Sequence, residues 1–438
     1  MVNSLIRKSL EDHSEMKILF LAHRTPYPPN KGEKIRAFHL LSRLAKAHEV
    51  TLLYWVDNPQ DLEHARFLRS LCRGHVIPIR LNRSLAMLRA LGSLLTGQSF
   101  TQGFYSSKLF QKEVDYVMQG RSFDVIWSFS SAMALYAKNI NCVTKIVDFV
   151  DVDSDKWGQL AEATPFPLAF LYYLEQKRLS RLEIDVSKWA SVSLFVSQAE
   201  AKLFKNNGGK GRIECLANGT DLELRRLPLE QMPFDAAGTD GVSQTDAAKL
   251  IFVGTMDYLP NIDAARFFAE EIFPLIRRKF ANATFEIVGR NPTKSVLRLN
   301  KIDGVEVVGE VADVRSRLVR ADVSVAPMRI ARGVQNKVLE AMALGVPVVA
   351  TPAAIEGIEV QDGEEVFVGR NSEEFATQVI RLLADYELRK IVVKKAWNKM
   401  SQQYNWDVVG SQLEHLLTTV LPRHAAEPTR AENSVGRR

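Results

Sequence analysis

The chain has 438 residues, with 46% hydrophobic and 25% charged side chains; this suits roughly two to three globular domains and excludes a disordered, collagenous or heptad-built chain. No apolar run of about 18 residues occurs, so a spanning helix is not expected, and the scattered Cys72, Cys142 and Cys215 argue against a disulfide framework or structural zinc and fit a reducing compartment. The formal charge of +6 is uneven: residues 1–230 hold 31 basic and 24 acidic side chains against 26 and 27 in the remainder, and His64–Lys112 has eight Lys/Arg with no Asp or Glu, which fits an anionic partner or a solvated face.

The first 15 residues lack an apolar h-region and do not read as a secretory signal; order is expected from Met16. KILFLAH is a buried strand, TPYPPNKGEK a turn-rich loop, Ala37–Ala47 an amphipathic helix and HEVTLLYWV a second strand. Alternation continues through FDVIWSF, a helix from Met133, TKIVDFV, a helix over Leu168–Ser187, SVSLFVS and a helix from Gln198. The polar stretch Leu229–Ala248 reads as a linker. The grammar then restarts with KLIFVGT, a helix over Asn261–Phe280, ATFEIVG, GVEVVGEV, a short helix near Val314–Arg320, DVSVAP, a helix over Asn336–Leu344 and PVVAT. Ser372–Leu421 is mostly helical, and the polar tail from Pro422 reads as disordered. Strands alternating with helices specify parallel sheets. The fold class expected is therefore α/β, with two Rossmann-like doubly wound domains facing across a cleft and ligands at the carboxyl ends of the strands.

Three loops at those ends carry candidate chemistry. Arg332-Gly333-Val334-Gln335-Asn336-Lys337 leads into a helix that contains Glu340. Gly333 permits close backbone approach, the helix N-terminus offers free N–H groups and a positive dipole end, Lys337 adds charge for a diphosphate, and Glu340 suits ribose hydroxyls. A helix capped by Asn336 with a Lys–Glu surface pair explains the same residues without a ligand. Gly32, followed by Glu33 and Arg36, opens a helix after the first strand, and its spacing is not GxGxxG; a plain turn glycine is the alternative. Asp151, Asp153, Asp155 and Glu162 match positions 1, 3, 5 and 12 of a calcium loop, but Lys156 stands where glycine is required and the segment follows a strand. Cleft-facing carboxylates for acceptor binding or base duty fit better, with helix capping by Asp153 or Ser154 as the structural alternative. Seven of eight histidines lie away from the expected cleft; His23 alone ends a strand beside it.

Six segments in this order, HRTPYPPNKGEKIRAFHLL, VDFVDVDSDKW, LFVSQAEAKLF, ANGTDLE, FVGTMDYLPNIDA and GVQNKVLEAMALGVPVVAT, resemble the retaining family-4 glycosyltransferases of GT-B fold. More narrowly, they resemble the exosortase (PEP-CTERM)-associated exopolysaccharide sugar transferases. The resemblance covers about Met16–Leu421. It implies transfer of a sugar from a nucleotide diphosphate donor to a saccharide or lipid-linked acceptor with retention, in a bacterial exopolysaccharide pathway. It also implies an acceptor-side domain over 16–228, a donor domain over 249–400, and a helix over 401–421 crossing back. By the same resemblance Glu340 meets ribose, Lys337 diphosphate and Gly32 the donor phosphates, while Gly333 matches the close-approach donor loop, Gly254 the first donor-domain turn, and Gly309, Glu310 and Val311 the base. Glu33, Arg36, Asp151 and Asp153 fall on the acceptor side.

Arg332 stands where many relatives carry a sugar-contacting glutamate, and Val150 where many carry histidine; either Asp151 next to it is the substitute or the site works without that contact. Asp151, Arg332 and Lys337 are thus the catalytic candidates. No covalent nucleophile, metal or cofactor is expected, because lysine, arginine and a helix dipole can stabilise the departing diphosphate. A sugar-nucleotide 2-epimerase and a non-catalytic, sugar-nucleotide-binding member of a polysaccharide assembly complex are the alternatives. Nucleic acid is not an expected partner, since few aromatics interleave with the arginines between Arg66 and Arg89. The leucine-rich, basic stretches Arg80–Gln98 and Pro165–Arg181 suit an anionic membrane surface, placing the protein in the cytoplasm or peripherally on the inner face of the membrane. Core packing of Leu85, Leu88 and Leu95 is the competing reading.

Overall fold

The computed structural model describes residues 15–29, 32–142, 144–162, 164–220, 248–331 and 333–421. Arg332, nearly all of the Leu229–Ala248 linker, the tail from Pro422 and residues 1–14 lie outside the described residues.

The first sheet contains β1 (Lys17–Ala22), β2 (Glu49–Val56), β3 (Val76–Arg80), β4 (Val125–Phe129), β5 (Thr144–Val150), β6 (Val192–Phe195) and β7 (Ile213–Cys215). Between them run α1 (Gly32–Ala47), α2 (Ala65–Leu71), α3 (Arg83–Thr96), α4 (Phe100–Tyr105), α5 (Lys108–Met118), α6 (Ser131–Ala137), α7 (Asp153–Glu162), α8 (Leu168–Trp189) and α9 (Gln198–Asn206). The strand order is β3-β2-β1-β4-β5-β6-β7, and all pairings are parallel. Ile18–Ala22 are wholly enclosed because helices cover both sheet faces, which is why β1 is a continuous apolar run.

The second sheet, ordered β10-β9-β8-β11-β12-β13, is built from β8 (Lys249–Val253), β9 (Thr284–Val288), β10 (Val305–Gly309), β11 (Val323–Ala326), β12 (Val348–Ala350) and β13 (Phe367–Val368). Its helices are α10 (Leu259–Phe267), α11 (Phe273–Arg277), α12 (Lys294–Leu297), α13 (Arg315–Leu318), α14 (Asn336–Ala343), α15 (Pro352–Ile355), α16 (Ser372–Ala384) and α17 (Tyr386–Gln403). The helix expected over Asn261–Phe280 is broken by a π-turn at Phe268–Ile272. Pro274 follows within the first positions of α11, where its missing N–H is least costly.

The last helix, α18 (Trp406–Val420), packs on the first domain. Val409, Leu413 and Leu417 share a core with Leu40 and Leu44 of α1. The Trp406 ring stacks on His39 at 4.2 Å, and Arg212 donates to the Thr419 carbonyl. Gly410 leaves room for the Arg43 side chain, whose Nε would lie 2.6 Å from a Cβ at that position. Both sheets reverse strand order beside their first strand, β1/β4 in one and β8/β11 in the other. Such switch points leave a crevice at the strand carboxyl ends.

Candidate active site

A cavity of about 650 Å³ lies between the domains, lined from both switch points. Its floor is where two helix N-termini converge. Gly32 opens α1, and a Cβ there would sit 3.2 Å from Asn336 Nδ2 at the start of α14. Free backbone N–H groups and the positive ends of two helix dipoles make this a setting for an anion.

On the first-domain wall, His23 follows β1. Its Nδ1 faces the Phe129 carbonyl at 3.1 Å and its Nε2 faces Glu33 Oε2 at 3.2 Å, so both ring nitrogens meet acceptors. Arg24 also donates to Glu33. Burial would push the Glu33 carboxyl up, but the His23 hydrogen bond and the charges of His23, Arg24 and Lys156 hold it down at about 2. At the end of β5 the backbone is strained: Val150 has φ 69°, in the region that a β-branched residue rarely enters. The Asp151 N–H donates to the Phe149 carbonyl across it at 2.9 Å, closing a γ-turn of the uncommon positive-φ type. This turn carries Asp151 into the cavity, where Oδ2 accepts from Lys156 Nζ at 2.8 Å. Asp151 Oδ1 is buried without a hydrogen-bond partner among the described residues.

Lys156 bridges Asp151 and, at 3.0 Å, Asp153; an ammonium thus occupies the space between the carboxylates that a calcium loop would give to its ion. Burial opposes its charge, but the two aspartates hold its pKa well above the ordinary lysine value. Below, Glu183 accepts from the Ser154 N–H and hydroxyl. Its burial, with Asp153 nearby, pushes its carboxyl up to about 8.

On the second-domain wall, the carboxyl ends of β8, β9 and β10 are closed by Gly254, Gly289 and Gly309. The Gly289 N–H donates to the Gly309 carbonyl at 2.8 Å. A Cβ on Gly289 would fall 1.6 Å from the Gly254 carbonyl oxygen, so only glycine permits this approach. Lys337 Nζ lies just behind the lining, donating to Asn261 Oδ1 at 2.6 Å and sitting 4.6 Å from the Phe252 ring centroid. Burial lowers its pKa to about 7 despite Glu340, and burial raises Glu340 to about 7 despite Lys337 and Arg315.

The walls also meet at Asn218 and at Gly333. Asn218 Nδ2 donates to Asn336 Oδ1 at 3.1 Å, and Gly333, at φ 64°, meets Asp151 so closely that a Cβ would be 2.1 Å from Oδ1. Of the residues singled out from sequence, Gly32, Glu33 and Asp151 line the cavity, Gly333 abuts Asp151, and Lys337 contacts the lining residues Asn261 and Met328. Asp153 pairs with Lys156 beside the cavity. Glu340 is half-buried on α14 outside the lining, Gly254 and Gly309 lie in the glycine layer, and Glu310 is exposed. Arg36 does not reach the cavity. It is fully enclosed, gripping the Asp148 carboxylate at 3.0 Å and donating to the Leu216 carbonyl and Asn218 Oδ1, so it sets the Asn218 amide that crosses to Asn336.

Sequence reasoning passed over Arg24, Lys156, Asn218, Asn261, Arg290 and Gly289. Lys156 shows in the sequence only as a residue that spoils a calcium loop, and Asn218 and Asn261 lie within ANGTDLE and MDYLPNIDA without a chemical signal of their own. Among the described residues no group of three or more His, Cys, Asp or Glu side chains is placed to hold a metal ion.

The family described as Glycosyl transferases group 1 matches residues 247–385. No curated protein matches the chain. Among solved structures, HepE from Anabaena in complex with UDP-glucose is similar at 16% identity and a TM-score of 0.64, over 92% of this chain and 100% of that one. Sucrose-phosphate synthase from Thermosynechococcus elongatus is similar at 16% identity and a TM-score of 0.66, over 93% and 99%. WaaG, a glycosyltransferase involved in lipopolysaccharide biosynthesis, is similar at 15% identity and a TM-score of 0.62, over 91% and 99%. The chain therefore has the GT-B fold of these glycosyltransferases, and residues 247–385, in its second domain, match the glycosyl transferases group 1 family.

Proposed function

We propose that this chain transfers a sugar from a nucleotide diphosphate donor to a saccharide or lipid-linked acceptor with retention, as a family-4 enzyme of bacterial exopolysaccharide assembly. The observation that carries the donor reading is the convergence of the α1 and α14 N-termini on one cavity, with Lys337 behind it and the group 1 match on the domain that supplies it. The bound UDP-glucose of HepE supports a nucleotide-sugar donor. The narrower exosortase-associated assignment rests on the six ordered sequence segments.

In this reading the diphosphate lies at the two helix ends. Lys337 and the backbone N–H groups stabilise charge as the sugar–phosphate bond breaks, and the sugar acquires oxocarbenium character. The glycine layer at β8–β10 lets the nucleoside approach the backbone, with Glu340 assigned to the ribose. A leaving phosphate oxygen accepts the acceptor hydroxyl's proton on the face the leaving group vacates, which retains configuration. Asp151, aimed by the γ-turn, holds the acceptor, and Lys156 fixes its carboxylate in place. Arg332 is assigned to the diphosphate. With lysine, arginine and two helix ends supplying positive charge, transfer needs no metal and no cofactor. The protein acts in the cytoplasm or peripherally on the inner face of the cytoplasmic membrane; no helix among the described residues is long and apolar enough to cross a membrane.

The test is a screen of UDP-, GDP- and ADP-sugars for donor hydrolysis and thermal stabilisation, followed by Lys337→Ala and Glu340→Ala on the best donor. Each substitution is expected to lower turnover about a hundredfold or more. Unchanged transfer in both would sink the assignment.

A further inference from the structure

Helix α3 is amphipathic the wrong way round for a soluble protein. It buries its small residues, Ala86, Ala90 and Ser93. Gly103 of α4 packs against them so closely that a Cβ would be 2.7 Å from Ser93 Cβ and 2.9 Å from Ala90 Cα. The large apolar side chains point out: Leu85, Leu88, Leu91 and Leu95 are all exposed, Leu88 at 66% and Leu95 at 92%. Core packing of these leucines is thus excluded by the geometry. Isolated exposed leucines need no account, but a stripe repeating over the whole length of a helix does.

A second outward apolar stretch belongs to the same unit. Phe166, at 82% exposed, Phe170, Leu171 and Tyr173 precede and begin α8. Arg178 of α8 donates to the carbonyls of Leu94 and Gln98 at 3.1 Å each, and Glu175 accepts from the N–H groups of Phe100 and Thr101. These bonds fix α8 to the end of α3 and the start of α4. Negative charge is missing from both stretches: His64–Lys112 has no acid, and Glu175, the one acid in residues 164–178, is buried and turned inward. Arg80, Arg83, Lys108 and Lys177 are exposed around them, with Lys177 Nζ 4.6 Å from the Tyr173 ring centroid.

The patch adjoins the active-site cavity. Helix α7 lines the cavity with Lys156, Gln159 and Leu160 and lies along α8, where the Trp157 and Tyr172 rings are 5.3 Å apart. Leu160 on the wall and Phe166 on the patch are only six residues apart in the chain.

We propose that the outer face of α3 and the start of α8 form a docking surface for an anionic lipid bilayer, seated so that a lipid-borne acceptor reaches the cavity along α7. Apolar side chains that enter the acyl boundary beneath a rim of arginine and lysine are the recognised chemistry of such a surface. The acceptor clause rests on the transferase reading; the docking itself does not.

The experiment is flotation of the full chain with vesicles of phosphatidylglycerol and phosphatidylcholine, against vesicles of phosphatidylcholine alone. Binding to the anionic vesicles at low salt, weakened by added salt, is expected. The double substitution Leu88→Glu/Leu95→Glu, on two side chains already in solvent, is expected to reduce it at least about tenfold while the melting temperature and donor hydrolysis stay unchanged. Failure of the wild-type chain to float, or equal flotation of the variant, would overturn the proposal. So would a wild-type dimer that the same substitution dissolves, because a second copy would then be the occupant. Flotation without any donor hydrolysis would overturn the transferase reading and leave the docking surface standing.

Discussion

Lys337 gives the sharpest quantitative expectation. In the unliganded protein its ammonium has lost water without gaining a carboxylate hydrogen bond, since Nζ donates to Asn261 Oδ1 rather than to Glu340, and burial brings its pKa to about 7. A diphosphate placed at the α14 N-terminus restores the charged form. At pH 8 a lysine with pKa about 7 is roughly one-tenth protonated, so donor binding should take up about 0.9 proton per site. A return from about 7 to the ordinary 10.5 corresponds to roughly 5 kcal/mol, an upper bound on the coupling between proton and donor. Glu340, held near 7 by burial, opposes this below neutrality. There it releases its proton on meeting the ribose, so net uptake should fall and reverse sign towards pH 6. The assay is calorimetric titration of the donor selected by the screen, in buffers of different ionisation enthalpy at pH 6 and pH 8. Lys337→Met should abolish the uptake at pH 8 and weaken donor binding about a hundredfold, roughly 3 kcal/mol. No uptake at pH 8 in the wild type, or the same uptake in Lys337→Met, would refute the placement of the diphosphate at this lysine.

Gly333→Ala should cost about 1–2 kcal/mol from its φ of 64°, and its Cβ should also force Asp151 aside; a melting curve and the KM for acceptor check the two effects. Breaking the enclosed Arg36–Asp148 pair with Asp148→Asn leaves a buried guanidinium short of its counter-charge and should destabilise the chain by about 3–5 kcal/mol, read by denaturant unfolding. Glu183, with its carboxyl at about 8 against an ordinary 4.5, binds its proton more tightly folded than unfolded. Its contribution to stability is therefore present below about 4.5 and declines as pH rises towards 8, and Glu183→Gln should flatten that slope. Transfer should persist in excess EDTA, measured as nucleoside diphosphate released; loss that added Mg²⁺ restores would contradict the metal-free chemistry.

How much of this was legible in the sequence differs by element. The continuous apolar runs KILFLA, VIWSF and VSVA became enclosed strands, because a parallel sheet covered on both faces leaves no alternation to obscure them. Strand β3 was missed: VIPIR carries Pro78, which an edge strand tolerates and a central strand does not. Asp153 and Asp155 read from sequence as cleft carboxylates or as a helix cap, and they fill the first turn of helix α7, where acids also favour a helix dipole. At the site, glycines and charged residues next to strand ends could be picked out, but pairings across 112 and 118 residues, Arg36–Asp148 and Asn218–Asn336, left no local trace. Arg36 accordingly reads from sequence as an acceptor residue, whereas the fold turns its Nε, Nη1 and Nη2 to internal acceptors. Leucine periodicity over Leu85–Leu95 fitted core and membrane equally; only the small-residue stripe packed on Gly103 shows which face is outward.

The most direct measurement is product analysis by NMR after incubation with the selected nucleotide-sugar, with and without a saccharide acceptor. The account predicts nucleoside diphosphate in both cases and, with acceptor, a new glycosidic bond of the donor's own anomeric configuration, both lost in Lys337→Ala. A 2-epimerised donor in the absence of acceptor, a product of inverted configuration, or no turnover of any UDP-, GDP- or ADP-sugar would contradict it.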